Sequence, residues 1–302
     1  MSDGEYYAEL DGEQGHARID GWRHYLEQWL RFEVVGRALA LDARSSVVDL
    51  GCGTGRFLDY LGESGVRRYV GVERRASAIR RARNELSSGT FLQTDIFAGV
   101  VDEAGPYDFA VAIGTLVDGR SGVDADERLM RLRRLVLRLN ALGRRGWALV
   151  VLNQDLIDGD PIRSLEPCLT GASPAEVSSV LKDVGLKAAV DNRCLPSDLF
   201  VISHAHDEVE QWSVRISADA PHHAVLSTAS RRGAGIDNAD KAWFWIVTKR
   251  LKQARHALDK VRDDHPRKSI LKARLSALRD EMRSVESETS PLVARDAAAD
   301  KP

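Results

Sequence analysis

The sequence predicts an α/β protein with a mainly parallel β-sheet, followed by a smaller C-terminal region of different character. Two observations predict this. Between residues 45 and 205, short apolar runs alternate with helix-like segments, and such alternation is typical of right-handed βαβ units. After residue 205 the alternation stops, and two stretches with the 4-3 apolar spacing of packed helices follow. The 302 residues suffice for one large domain or two smaller ones.

Seven short apolar runs are the predicted strands of the sheet. They are rich in β-branched and aromatic residues, which favour buried strands. The runs are Ser46–Leu50, Arg68–Val72, Thr90–Leu92, Phe109–Ile113, Trp147–Leu152, Leu186–Val190 and Leu199–His204. Helices are predicted between them at Ala76–Leu86, at Glu127–Leu142, and from an N-cap at Ser173 to about Val184.

A predicted N-terminal helical lid, residues 1–44, precedes the sheet domain of residues 45–205. Aromatic and aliphatic side chains recur at helical spacing over residues 20–40, which predicts one or two amphipathic helices. The carboxyl edge of the parallel sheet should gather residues 114–118 after the fourth strand and residues 153–155 after the fifth.

The C-terminal region is predicted in three parts. Residues 206–237 form a small β extension, in which an alternating strand at 212–217 pairs with Ala224–Thr228. Residues 238–287 form a helical hairpin or a coiled coil, whose first long helix extends to about Arg262. The polar, alanine-rich residues 288–302 predict a disordered tail.

Composition excludes several classes of protein. The chain is 43% hydrophobic with a net charge of −2, which fits a folded core and disfavours a dedicated nucleic-acid binder. No apolar run approaches the roughly 20 residues of a membrane span, and the acidic first residues predict no signal peptide. Lysine is absent from the first 181 residues, which excludes a P-loop there. We expect a bacterial, cytoplasmic protein.

A glycine-rich loop follows the first predicted strand. Asp49 lies near the end of the strand, and Gly51, Gly53 and Gly55 follow at alternate positions before a helix-like segment. Glycines in such a turn let the backbone approach a ligand closely and expose N–H groups of the following helix. A dinucleotide-binding fold would place its third glycine at position 56, where this chain has Arg56.

Two carboxylates follow in register with this loop. Glu73 ends the second predicted strand, 24 residues after Asp49, and Asp95 ends the third. A carboxylate at the end of the second strand can accept hydrogen bonds from both hydroxyls of a ribose. With these residues, positions 20–205 strongly resemble the class I, Rossmann-like S-adenosylmethionine-dependent methyltransferases. A nicotinamide or nucleotide-sugar enzyme is the alternative.

The resemblance implies a seven-stranded sheet whose last strand is antiparallel, with S-adenosylmethionine as the cofactor and S-adenosylhomocysteine as the product. It implies that Asp95 binds the adenine amino group and that Arg31 clamps the cofactor carboxylate. The cofactor-binding residues that it predicts are Arg31, Asp49, Gly51, Cys52, Gly53, Gly55, Glu73, Asp95, Ile96, Ile113 and Gly114.

The implied reaction is in-line methyl transfer to a small-molecule or glycan acceptor, on a hydroxyl oxygen. An oxygen acceptor can require a general base, for which Asp155 and His24 are the candidates. No metal site is predicted, because the three cysteines are irregularly spaced and His222-His223 has no ligand partner at metal-binding spacing.

Two other functions stay open. The first is a methyltransferase of RNA or protein that recognises its substrate through the C-terminal region. The second is a non-catalytic protein that binds S-adenosylmethionine and serves in assembly. The 4-3 apolar seams of the C-terminal helices also predict homo-oligomers formed through those helices.

Overall fold

A computed structural model describes six parts of the chain. They are residues 25–62, 65–115, 125–157, 171–204, 220–232 and 236–280. The chain divides into two compact units, Met1–Val225 and Leu226–Pro302. The predicted base His24, the predicted strand at 212–217 and the predicted tail at 288–302 lie outside the described residues.

Seven strands form one sheet in the order β3-β2-β1-β4-β5-β7-β6. Their bounds are β1 Ser46–Leu50, β2 Arg68–Glu73, β3 Thr90–Gln93, β4 Tyr107–Ile113, β5 Gly143–Leu152, β6 Ala189–Asp191 and β7 Asp198–His204. β7 is antiparallel to both β5 and β6, whereas β1 to β5 pair in parallel. The predicted seven-stranded sheet with an antiparallel last strand is therefore confirmed.

The described helices of the first unit are α1 Tyr25–Ala38, α2 Arg56–Leu61, α3 Ala76–Glu85, α4 Val100–Glu103, α5 Ala125–Leu142, α6 Gln154–Ile157 and α7 Pro174–Asp183. The predicted helices near 76–86, 127–142 and 173–184 are confirmed, whereas the short helices α4 and α6 were not predicted. α7 begins with a capping box, in which the side chains of Ser173 and Glu176 each accept a hydrogen bond from the other's backbone N–H.

One face of the sheet packs against α5 and α7. Its core combines strand residues such as Val48 and Val70 with Leu135 and Leu139 of α5 and Val177 of α7. Burying an aliphatic side chain of this size stabilises the fold by about 1.5–3 kcal/mol. The packed sheet therefore gives a rigid support to the loops at its edges.

The predicted strand at Ala224–Thr228 is wrong. These residues belong to α8, Ala220–Arg231. His222, Val225 and Ala229 are all buried, and their spacing of three and four residues is that of one helix face. Apolar residues beside a predicted turn suggested a β-hairpin. The buried residues instead recur with the spacing of an α-helix, and the segment is helical.

The predicted long helix that ends near Arg262 is also wrong, because it is divided into α9 Asn238–Val247 and α10 Leu251–Asp259. Lys249 adopts a left-handed conformation with φ of 55°, and the N–H of Arg250 donates to the carbonyl of Trp245 at 2.8 Å. This is the hydrogen bond of a Schellman motif, which ends a helix. Glycine usually occupies this position, but here it is Lys249. The end of α9 therefore could not be predicted from the sequence.

The two halves form an antiparallel pair within the second unit. α9 and α10 pack together, and the amide Nδ2 of Asn238 donates to the carbonyl of Lys260 at 3.2 Å. A further helix, α11, covers residues 268–280. Arg274 of α11 lies over the ring of Trp243 of α9, 4.9 Å from its centroid. A continuous coiled coil is not present in these described residues.

Candidate active site

The carboxyl ends of β1 to β5 share one edge of the sheet, and in open α/β sheets ligands bind outside this edge. Because β7 runs antiparallel, its first residue, Asp198, pairs with Leu152 at the same edge. Its last residue, His204, pairs with Gly146 at the opposite edge, where His204 Nε2 contacts the carbonyl of Ala38 at 2.7 Å.

The glycine loop has the backbone conformation that only glycine adopts easily. The φ angles of Gly51, Gly53 and Gly55 are 82°, 54° and 79°. A Cβ at Gly51 would lie 2.6 Å from Oγ1 of Thr115, and one at Gly55 would lie 2.7 Å from a methyl carbon of Leu86. Neither position has room for a side chain, so the loop keeps its main chain close to the carboxyl edge.

Glu73 is fixed beside this loop by backbone N–H groups. Its Oε2 accepts from the N–H of Gly53 at 3.3 Å, and its Oε1 accepts from the N–H of Arg75 at 2.9 Å. The Glu73 side chain is only 11% exposed. Each carboxylate oxygen can accept a further hydrogen bond, so the group retains capacity for two hydroxyl donors.

Arg56, which stands at the third glycine position of a dinucleotide fold, links the loop to its surroundings. Its Nε donates to Oγ1 of Thr54 at 3.2 Å, and its two Nη atoms contact Asp59 and Glu85. The side chain is 10% exposed. The sequence analysis used Arg56 only to reject a dinucleotide site, whereas the structure gives it a part in holding the loop.

The remaining predicted cofactor residues lie along the same edge. Asp49 is buried and accepts a hydrogen bond from the hydroxyl of Tyr69. Asp95 is exposed after β3, and its Oδ1 accepts from the N–H of Phe97 at 2.8 Å. The positions of Cys52, Ile96, Ile113 and Gly114 also follow strands or the loop at this edge. The structure thus brings the loop and all three acidic residues together at the carboxyl ends of β1, β2 and β3.

Arg31 has a partner that the sequence did not predict. Its Nε and Nη2 donate to the two carboxylate oxygens of Asp198 at 2.7 and 2.8 Å. Both side chains are 2% exposed. The pair fixes α1 against the first residue of β7. The two residues are separated by 167 positions, so no local sequence pattern could have shown the contact.

Of the two predicted general bases, Asp155 lies within the described residues and His24 does not. Asp155 is exposed in the first turn of α6, directly after β5. Asn153, which precedes α6, is 4% exposed, and its N–H donates to the carbonyl of Ser197 at 2.9 Å. The sequence analysis placed Asn153 at this edge but assigned it no role.

Within the described ranges, no group of three or more His, Cys, Asp or Glu side chains is arranged to hold a metal ion. Over the same part of the chain, no helix is both long enough and apolar enough to cross a membrane.

Comparison with known proteins identifies the domain. A family model described as a methyltransferase domain matches residues 22–117, which include the glycine loop, Glu73 and Asp95. About a third of the chain thus matches a methyltransferase domain, in agreement with the class I, S-adenosylmethionine-dependent family that the sequence resembles. The family and the cofactor predicted from the sequence are thereby confirmed. No curated protein matches the chain.

Solved structures share the fold of this methyltransferase domain at low sequence identity. The plantazolicin methyltransferase BpumL, in complex with a monoazolic desmethylPZN analog and S-adenosylhomocysteine, has a TM-score of 0.51 and 16% identity over 74% of this chain and 87% of its own. The N-methyltransferase NodS from Bradyrhizobium japonicum has a TM-score of 0.48 and 15% identity, over 67% and 98% of the two chains. Magnesium protoporphyrin IX methyltransferase from Synechocystis PCC 6803 has a TM-score of 0.47 and 17% identity, over 68% and 95%.

Proposed function

We propose that this protein transfers a methyl group to a hydroxyl oxygen of a small-molecule or glycan acceptor. The observation that carries the proposal is the position of the Glu73 carboxylate, which the N–H of Gly53 holds against a loop of positive-φ glycines. A fixed carboxylate beside exposed backbone N–H groups suits a ligand that carries a ribose.

The chain's residues fit the proposed cofactor. Glu73 would accept hydrogen bonds from the ribose hydroxyls, Asp95 would accept one from the adenine amino group, and the loop would approach the amino-acid portion. When bound, S-adenosylmethionine supplies a methyl group on a positively charged sulfur, which a nucleophilic oxygen displaces in line. Arg31 is engaged by Asp198, so any contact it makes with a cofactor carboxylate would have to be added to that ion pair.

The protein's contribution to such a reaction is mainly orientation. Holding the two reacting atoms about 3–3.5 Å apart and aligned can contribute several kcal/mol to catalysis. The hydroxyl loses its proton as the new bond forms, and we assign the proton to Asp155, an exposed carboxylate directly after β5. Replacement of Asp155 by Asn should lower kcat and leave the binding of S-adenosylhomocysteine unchanged.

A small-molecule or glycan acceptor is supported by the polar groups of the edge, which include the exposed carboxylate of Asp155. Arg31 and Asp198 neutralise each other, and Asn153 adds an uncharged amide. The fold neighbour BpumL is crystallised with a desmethylPZN analog as its bound compound. This edge would therefore favour a hydroxylated molecule over a strongly anionic one.

The test is methyl transfer from tritiated S-adenosylmethionine into small-molecule and glycan fractions of a bacterial extract. The proposal predicts a labelled product with the wild-type protein and none with Gly53→Arg, whose side chain would occupy the loop. Label that appears in protein or RNA fractions instead would contradict the proposed acceptor class. Absence of any label would contradict methyl transfer itself.

One observation favours RNA as a second candidate substrate. Residues 236–280 contain 12 Lys or Arg and 6 Asp. α10 exposes Lys252 and Arg255, and Lys260 is exposed directly after its last residue, while Ala254 and Leu258 are buried on its other face. Binding of an RNA of about 20 nucleotides should then weaken steeply between about 50 and 200 mM salt. Unchanged binding in the Lys252→Glu/Arg255→Glu variant would exclude this surface.

A further inference from the structure

Asn153 lies at the end of the site away from the predicted cofactor residues. The glycine loop, Glu73 and Asp95 follow β1, β2 and β3, whereas Asn153 follows β5. In the strand order, β5 is two strands from β1 and four from β3. With neighbouring strands about 4.8 Å apart, Asn153 is about 10 Å from the loop's strand and about 19 Å from that of Asp95. A ligand held by the first three strands leaves the edge at β5 and β7 for the second substrate.

The side-chain oxygen of Asn153 is buried and meets no hydrogen-bond donor among the described residues. The amide Nδ2 donates to the carbonyl of Pro196 at 3.3 Å. Exchanging the two amide positions would place the side-chain oxygen against the carbonyl of Pro196, which cannot donate a hydrogen bond. A buried carbonyl oxygen without a donor destabilises the folded protein, so a ligand that supplies the donor would relieve this cost.

The next residue provides a direct contrast. Oε1 of Gln154 accepts a hydrogen bond from the N–H of Gly171 at 2.8 Å, so this amide oxygen has a donor within the protein. The two adjacent amides therefore differ in whether the side-chain oxygen accepts a hydrogen bond from the protein. Only that of Asn153 has an oxygen that the described fold leaves for another molecule.

α1 carries two buried polar side chains one turn before Arg31. α1 runs from the carboxyl edge, where Arg31 contacts Asp198, to the opposite edge, where Ala38 contacts His204. Glu27 and Gln28 precede Arg31 by four and three residues, so they lie on its side of the helix and about 4.5–6 Å further out from the sheet. They are only 5% and 2% exposed. The helix that contacts the first residue of β7 therefore brings polar groups, withdrawn from solvent, to the carboxyl edge.

We propose that Asn153 orients the methyl acceptor, with Oδ1 accepting a hydrogen bond from a hydroxyl or amine group of that molecule. This inference rests on the proposed function. It restricts the acceptor to molecules that carry a hydrogen-bond donor besides the atom that is methylated, such as a polyol, a sugar or an amino alcohol. A purely apolar acceptor would leave the Asn153 oxygen without a donor.

The test compares Asn153→Leu with the matched control Gln154→Leu in the full chain. Without substrate, Asn153→Leu should lower the Tm less than Gln154→Leu, because it removes an oxygen that has no donor together with one long hydrogen bond of 3.3 Å to Pro196. Asn153→Leu should also leave the Kd for S-adenosylhomocysteine within about twofold of wild type, and should reduce methyl transfer from tritiated S-adenosylmethionine into the extract fractions at least about tenfold.

Three results would overturn the proposal while the proposed function stands. A fall in Tm in Asn153→Leu as large as that in Gln154→Leu would mean that the oxygen already has a donor. Weakened binding of S-adenosylhomocysteine would assign Asn153 to the cofactor, and unchanged methyl transfer would remove it from the acceptor subsite. If the wild-type protein labels no fraction at all, the proposed function fails and the acceptor subsite fails with it.

Discussion

We predict that removing one charge of the buried ion pair between Arg31 and Asp198 lowers the stability of the fold substantially. Asp198→Asn removes one charge and leaves the Arg31 guanidinium buried, with each side chain only 2% exposed and two hydrogen bonds of 2.7 and 2.8 Å disrupted. Breaking a buried pair by removing one partner typically costs about 3–5 kcal/mol. At about 2–4 °C per kcal/mol for a domain of this size, the Tm should fall by about 6–20 °C.

Thermal unfolding followed by circular dichroism measures this effect. The matched control is Arg44→Ala, which breaks the pair between Arg44 and Asp42 on the surface, where Arg44 is 91% exposed. That pair should contribute less than about 1 kcal/mol. A double variant, Arg31→Met/Asp198→Leu, should recover much of the lost stability, because no buried charge remains. A fall of less than 2 °C in Asp198→Asn, roughly what a loss below 1 kcal/mol would give, would refute a buried pair that fixes α1 to β7.

Two further predictions concern the loop and α7. Gly51→Ala should lower the Tm and weaken S-adenosylhomocysteine binding, because its Cβ would clash with Thr115. Gly185→Ala, after α7, with a φ of 69° and nothing within 4 Å, should show only the backbone cost of about 1–2 kcal/mol. Equal losses in thermal scans would contradict the predicted clash. Burial raises the pKa of Glu176, but hydrogen bonds from the N–H of Ser173 and from Arg128 outweigh it and lower that pKa below 4.5. The folded state therefore favours the carboxylate, and its contribution is present above pH 4.5 and lost as the pH falls through the lowered pKa. Urea unfolding should show that Glu176→Gln destabilises by about 1 kcal/mol at pH 7 and by less at pH 3, whereas an equal loss at both pH values would contradict the shift.

The sheet could be predicted because each strand has a recognisable pattern of apolar residues in its own sequence. Ser46–Leu50 contains two adjacent valines and a leucine before the glycine loop, and all five of its residues are buried. The start of α7 could be predicted in the same way, because an N-cap serine, a proline and a first-turn glutamate follow one another closely in the sequence. These elements depend on neighbours in the chain, which a sequence displays directly.

The features that the sequence did not reveal depend on tertiary context. Lys249 ends α9 in a conformation that lysine seldom adopts, so the 4-3 apolar pattern continued across a break in the helix. The contact between Arg31 and Asp198 joins residues that only the fold brings together. That the Asn153 oxygen has no donor among the described residues is visible only in the folded structure. The family pattern indicated where a cofactor binds, but the acceptor end of the site follows no such pattern.

Calorimetric titration with S-adenosylhomocysteine tests most directly whether the carboxyl edge binds the cofactor. The wild-type protein should bind at one site, and Glu73→Ala should raise the Kd at least about tenfold, since hydrogen bonds to a charged group contribute about 1.5–3 kcal/mol. His204→Gln, at the opposite edge of the same sheet, should leave the Kd unchanged. Absence of binding by the wild-type protein, or the same Kd in Glu73→Ala as in wild type, would contradict the assignment of this site.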